Sequence, residues 1–306
     1  MDIIISLMIN AMLGVTFVIL LRAGMLSLAI AAFWGVGSYF SAVLAVKFHI
    51  AVWLCLPLTF VFTGVVAFIL GLVLLKNTGF SFVMLTAVIG MLFTTAIGNF
   101  QYLGGFVGIS EIPRPETITL PFWRIDFVTD KTPYYFLMLI LVVIIILIIR
   151  AFNRTWTGRA WTAIGMNRRL AGSLGINVFR YKMAAFVLAS AITGLVGSFY
   201  AHYMTVITPA AYGIWKVVYI QIYAILGGIG HIFTGPFIGS AIMTILPELV
   251  RTIQNFGNIF VGIILILTIT LIPSGLLSLP DKYRDIKNKY WKKGTLKNKA
   301  AQWWKI

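Results

Sequence analysis

Long apolar runs separated by short polar breaks dominate this chain. The runs lie at residues 3–21, 25–46, 51–75, 80–100, 134–149, 183–203, 214–227, 232–250 and 257–279. A helix needs about 20 apolar residues to cross roughly 30 Å of hydrocarbon, so the pattern predicts an all-α protein with eight or nine transmembrane helices. Three breaks are richer in polar residues: 101–133, 150–182 and 280–306. Pro113, Pro115, Pro121 and Pro133 keep the first from forming a long helix. The apolar stretch 214–250 is punctuated by Gly227-Gly228-Ile229-Gly230 and Gly235-Pro236. Two readings fit: a tight turn between two helices, or a broken helix that crosses only partly, which needs surrounding protein or a wet cavity.

Composition agrees with a lipid-facing chain. The 306 residues are 60% apolar and 10% charged, against roughly 45–50% and about 25% in soluble domains. With a mean hydropathy of +0.97, a polytopic domain over 1–280 leaves room only for a basic tail, 281–306. The net charge of +16 must therefore lie in the breaks. In a soluble protein it would suggest nucleic acid, but here it reads as topology and no nucleic-acid partner is expected.

The charges orient the helices. Seven basic residues and no acid lie between Arg150 and Lys182, and nine basic residues follow Asp281. At about 3 kcal/mol for each Arg or Lys at the bilayer centre, burying the seven would cost roughly 20 kcal/mol. Both segments are therefore aqueous and, by the positive-inside rule, cytoplasmic, whereas 101–133, with mixed charges, reads as an external loop. An external N-terminus puts 18 of the 24 basic residues inside; Lys47, Arg114, Arg124, Lys131, Lys216 and Arg251 fall outside. Met1-Asp2-Ile3-Ile4-Ile5 lacks the basic flank of a secretory signal, so the first helix stays in the protein. The lone cysteine, Cys55, reads as a packing or lipid-facing residue.

Enzyme chemistry is not legible. The sequence lacks zinc-protease, serine-hydrolase and phosphate-loop motifs, and His49, His202 and His231 are too dispersed for a metal cluster. Pumps driven by protons or sodium place acids in their spans; only Glu248 does so, and Arg251 at helical spacing explains it as an interfacial pair. Neither a cofactor nor a built-in energy source is expected. Glycines such as Gly24, Gly64, Gly194 and Gly197 suit close helix packing. Hydroxyls and amides within spans need polar company and suit a path for a small neutral or zwitterionic solute, the candidates being Ser27, Thr94, Asn99 and Gln221.

The middle break offers a docking element. Thr157 can cap a helix through about Met166, Asn167 a second, and Gly175 fits the left-handed residue that ends it. Trp161, Ile164, Leu170, Leu174 and Ile176 then form an apolar surface with a charged rim, suited to a partner's groove; a loop held on anionic lipid is the alternative.

Several motifs, in order, resemble those of the LivM type of permease from prokaryotic branched-chain amino-acid ABC transporters. They are Gly24-Met-Leu-Ser27-Leu28 through Phe33-Trp34-Gly35-Val36-Gly37-Ser38-Tyr39; Gly158-Arg159-Ala160, Ala171, Leu174-Gly175-Ile176-Asn177, Lys182 and Ala185-Phe186; Leu226-Gly227-Gly228-Ile229-Gly230; Gly235-Pro236-Phe237; and Ile272-Pro273-Ser274-Gly275-Leu276. The resemblance covers nearly all of 5–280. It implies an ABC importer permease fold in the prokaryotic cytoplasmic membrane, without enzymatic activity of its own. Implied partners are two cytoplasmic ABC ATPase subunits, a LivH-like second permease and an extracytoplasmic solute-binding protein, besides the lipid bilayer. Gly158, Arg159, Ala160, Ala171, Leu174, Gly175 and Ile176 would form the ATPase-coupling element, and Phe33, Gly35, Gly37 and Tyr39 would join the translocation path. The family's Gly-His after Ser-Leu is Ala29-Ile30 here, and its acidic coupling stretch is Met166-Asn167-Arg168-Arg169. Branched-chain amino acids are the expected cargo; urea, amides or another small metabolite, and a secondary carrier or channel, are the alternatives.

Overall fold

In a computed structural model of the chain, residues 1–116, 118–120, 123–125, 127, 131–250 and 262 are described. The expected span 257–279, the motif at Ile272–Leu276, Arg251 and the tail 281–306 lie outside the described residues. Among the described residues, six helices are long and apolar enough to span a bilayer: α1 (Asp2–Arg22), α2 (Ile30–Lys47), α3 (Val52–Leu74), α4 (Phe80–Asn99), α5 (Thr132–Arg154) and, after two short helices, α8 (Val178–Met204). The short pair is α6 (Trp156–Met166) and α7 (Arg168–Ser173); α9 (Ile214–Gly227) and α10 (Thr234–Val250) complete the described helices.

The bundle has a centre and a periphery. The apolar windows of α1 and α8 are 72% buried, whereas those of α3, α4 and α5 are 28%, 17% and 22% buried. The exposed faces of the outer helices carry residues such as Val61, Val65, Phe68, Val88, Leu92, Ile140 and Val143, as expected where lipid or another apolar surface is the neighbour. Since lipid gives no hydrophobic drive for helices to associate, close contact must come from small residues. A Cβ on Gly37 of α2 would run into the backbone of Gly194 on α8, and one on Gly197 would meet the Trp34 carbonyl. The Ser38 hydroxyl lies 2.9 Å from both the Gly197 and the Trp34 carbonyl, joining the two helices.

One departure from the sequence reading, and one choice between its two alternatives, bear on function. The apolar run from 25 begins helical structure only at Ile30; residues 25–29 are non-helical, with Met25, Ser27 and Ala29 buried. Their backbone is provided for locally, since Leu28 N–H donates to Thr86 Oγ1 (3.0 Å) and Ala29 N–H to Ser27 Oγ (3.3 Å), which is what irregular backbone inside a membrane protein requires. At 214–250, α9 and α10 form an antiparallel pair joined by residues 228–233. Gly239 packs on the Tyr223 backbone and Gly227 on that of Gly235, so the glycines make the tight turn. The irregular stretch lies instead before α9, where a 3-10 turn, Pro209–Tyr212, packs Tyr212 fully inside.

One end of the bundle holds the C-terminus of α1, the turn after α9 and the α6–α7 pair: Arg22 donates to the Gly230 carbonyl (2.9 Å) and Gly165 abuts the Arg22 carbonyl. At the opposite end Asp2 meets Lys131 (2.6 Å) and the Tyr203 hydroxyl (2.5 Å). The described residues of the break at 101–133 also lie there, β1 (Ile118–Leu120) pairing antiparallel with β2 (Trp123–Ile125). It is strapped to the bundle by Ile109 pairing with Ile207 and by His202. The Pro113 carbonyl can only accept, so the His202 Nδ1 bonded to it (2.8 Å) carries the proton. Nε2 then accepts from Ser41 (2.9 Å), to which Ser198 donates (2.6 Å). Replacing His202 by alanine removes the acceptor of the buried Ser41 hydroxyl along with the Pro113 contact and is expected to cost about 1–3 kcal/mol. Amide hydrogen exchange at 109–112 should accelerate while α9 is unchanged; equal protection in both proteins would show that another contact holds the strap.

Candidate functional site

The α6–α7 pair is built on the helices beside it. Trp161 is 1% and Ile164 2% exposed. The Trp161 indole stacks near Phe152 (6.2 Å) and its N–H donates to the Tyr181 carbonyl (2.8 Å). These two residues therefore anchor α6 and do not belong to the docking surface expected of them. Gly158 packs against the Asn153 backbone, Ala160 and Ala171 are buried, and Lys182 donates to the Gly24 carbonyl (3.3 Å). The first cap also shifts: α6 starts at Trp156 with Thr155, not Thr157, in the capping position, and the Thr155 hydroxyl donates back to Phe152 (2.6 Å). Asn167 does cap α7, accepting from the Arg169 and Leu170 N–H groups (3.1 Å each), and Gly175 takes φ +83° beyond its end.

An apolar ridge is left facing outward. Met166 is 83% and Leu174 73% exposed, and Leu170 and Trp156 are also exposed. Arg154, Arg159, Arg168, Arg169 and Arg180 stand exposed around it, Arg159 lying over the Trp156 ring (5.6 Å). Of the seven residues expected to couple, Arg159, Leu174 and Gly175 are on the surface, Ile176 is half-buried, and Gly158, Ala160 and Ala171 lie beneath. Their positions divide them into surface and support. Thr78 and Gly79, in the α3–α4 connection, line one cleft with Asn167, Arg168 and Arg169, so this end gathers basic residues from several connections.

The expected path residues divide as well. Ser27 serves the start of α2, Phe33 packs edge-on against Phe186 (5.5 Å), and Gly37 is filled by Gly194. Thr94 bonds the Met91 carbonyl (2.9 Å) and Asn99 the Thr95 carbonyl (2.8 Å), both within their own helix. Gln221 has a buried amide nitrogen without a hydrogen-bond partner. Gly35 and Tyr39 do come together, around an aromatic cluster: Tyr212 lies 4.8 Å from Trp34 and 6.0 Å from Tyr39, and a side chain at Gly35 would strike Phe93 and Tyr212.

Sequence reasoning missed the cation beside this cluster. Lys216, counted above with the external loops, is in α9. Its ammonium donates to Asn10 Oδ1 of α1 (3.0 Å) and lies over the Trp34 ring (5.1 Å), while Asn10 Nδ2 donates to Thr244 of α10 (3.3 Å). Its place three residues into the apolar run 214–227 was the available signal.

Residues 1–269 match the family model described as "Branched-chain amino acid transport system / permease component". The chain is 26% identical over 304 residues to the high-affinity branched-chain amino acid transport system permease protein LivM of Escherichia coli K12, covering 94% of this chain and 70% of that protein. It is similar to the same degree, with the same coverage, to LivM of Salmonella typhimurium LT2. No solved structure matches.

Proposed function

The chain belongs to the family of branched-chain amino-acid transport permease components, and we propose that it carries leucine, isoleucine and valine into the cell as one permease of an ABC importer. The chain is a multi-pass membrane protein and a transport subunit. Two separate ATPase subunits would supply the energy, a LivH-like permease would complete the pore, and a solute-binding protein would deliver the cargo outside. The α6–α7 end faces the cytoplasm in this reading and the N-terminus lies outside. Support comes from Arg22, Lys76 and the seven basic residues of 150–182 sharing that end.

The observation that carries the coupling role is the ridge of Met166, Leu170 and Leu174. It is exposed and apolar, and its supporting helix α6 is wedged through Gly165 against the end of α1. A partner that moved this ridge would push on the central helices directly. Leucine accumulation by proteoliposomes holding the whole complex tests the reading: uptake should require ATP and all subunits, and leucine flux through this chain alone would overturn it in favour of a carrier. Gly158→Leu, which must displace Asn153 backbone and shift α6, is expected to cut uptake about tenfold or more, taking about 1–3 kcal/mol for overpacking. Normal uptake at normal abundance would remove α6 from the coupling element.

A further inference from the structure

We infer that Lys216 is a recognition point for the carboxylate of the solute, close to the middle of the membrane. The inference rests on the amino-acid permease reading above and adds to it a chemical class, solutes bearing a carboxylate, and a residue that selects it.

Depth follows from helix geometry. Arg22 at the end of α1 reaches Gly230 in the turn that follows α9, so these two points are level. At 1.5 Å per residue, Lys216 stands about 16 Å from the end of α9 and Asn10 about 18 Å from the end of α1. The hydrocarbon core is about 30 Å thick, so the ammonium sits near its midplane. A lysine there is costly and calls for a compensating role.

Its surroundings supply part of the compensation and leave one thing missing. Asn10 offers one amide oxygen and Trp34 the face of its indole. No carboxylate of the described residues bonds the ammonium. Lys216 is half-buried as a residue. The Trp34 indole N–H is buried without a hydrogen-bond partner, and so is the hydroxyl of Tyr39, which belongs to the same aromatic cluster through Tyr212 and can donate or accept. The 14-residue helix α9 itself begins at this depth, at Ile214; the Lys216 N–H is taken by the Gly213 carbonyl (3.0 Å), and the first turn presents the positive end of the helix dipole. A cation, an unpartnered indole N–H beside it and a helix start thus lie in one region of the membrane interior. A carboxylate supplies two acceptor oxygens and the negative charge.

The irregular backbone before α9 makes this arrangement possible. Had the apolar run formed one full-length crossing helix, Lys216 would stand near the membrane surface. The 3-10 turn at Pro209–Tyr212 instead carries the chain inward before α9 starts.

Reconstituted complexes carrying Lys216→Gln, Lys216→Met and Lys216→Arg test the inference, with leucine uptake and binding-protein-stimulated ATP hydrolysis measured side by side. Gln and Met are expected to lower uptake roughly ten- to a hundredfold, the worth of a hydrogen bond to a charged group, while ATP hydrolysis persists and Arg restores most of the uptake. Where Met fails to assemble, Gln, which keeps a donor for Asn10, decides. Wild-type uptake by the Gln variant overturns the inference, and so does loss of assembly in Gln and Arg alike, which would assign the lysine to packing. A wild-type complex that carries carboxylate-bearing solutes other than leucine, isoleucine and valine overturns only the cargo assignment. One that carries only solutes without a carboxylate overturns both.

Discussion

Replacing Leu170 and Leu174 together by glutamate is expected to abolish ATP-driven uptake while leaving the permease folded and inserted. The two side chains are four residues apart along α7 and its end, so they share one face, and both are exposed. Removing exposed apolar atoms changes fold stability by about 0.5 kcal/mol or less. A docking surface is different, because its central apolar anchors are each worth about 2 kcal/mol or more. Losing two of them and adding two charges weakens docking by about a thousandfold, counting 1.4 kcal/mol per factor of ten. Co-purification of the ATPase with tagged permease, together with leucine uptake, is the measurement. Retained co-purification and uptake would mean that the ATPase seats elsewhere. If the ATPase seats on this ridge, the arginines around it call for an acidic rim on the partner, and high salt should then weaken docking of the unmodified protein as well.

The second large effect is expected at the seam between α2 and α8. Gly37→Leu inserts a side chain where the Gly194 backbone already lies. Nothing flexible can yield there, so the cost should reach or exceed the 1–3 kcal/mol typical of overpacking, a large share of a stability of about 5–15 kcal/mol. The variant should be recovered at greatly reduced abundance with a lowered melting temperature in detergent. Gly230→Ala is the matched control, because a Cβ there meets nothing within 4 Å, and it should behave as wild type. Equal stability of the two variants would show that the helices separate more easily than their packing implies.

Much of this architecture is legible in the sequence because length and apolarity alone decide whether a helix can cross a membrane. The runs that became α1, α3, α4 and α5, and the Gly punctuation after α9, carry their own boundaries. What periodicity leaves open is which face of a short amphipathic helix turns inward. Trp161 and Ile164 lie with Leu170 and Leu174 in one apolar pattern, yet the first two are buried, Trp161 against Phe152 and the Tyr181 carbonyl, and the others are left outside. The start of α2 was misread for another reason. Residues 25–29 are apolar enough for a helix, and the hydroxyl of the distant Thr86, together with that of Ser27 within the segment, sustains a non-helical path through the interior. Lys216 escaped because charge counting assigns a lysine near the end of an apolar run to the nearest loop. The short α9 and the inward turn before it, which set the lysine's depth, are tertiary features.

The 27 residues of α8 make one unbroken rod about 40 Å long. At one end it follows α7 through the Asn177 cap, and at the other His202 grips the Pro113 carbonyl. A strut anchored at both ends cannot be displaced at one without loading the other. In the proposed importer this rod would couple the two faces of the membrane, and any such coupling is reciprocal by linkage: if nucleotide binding by an ATPase docked at the α7 end changed the affinity for a loaded binding protein by some factor, loaded binding protein would change nucleotide affinity by the same factor.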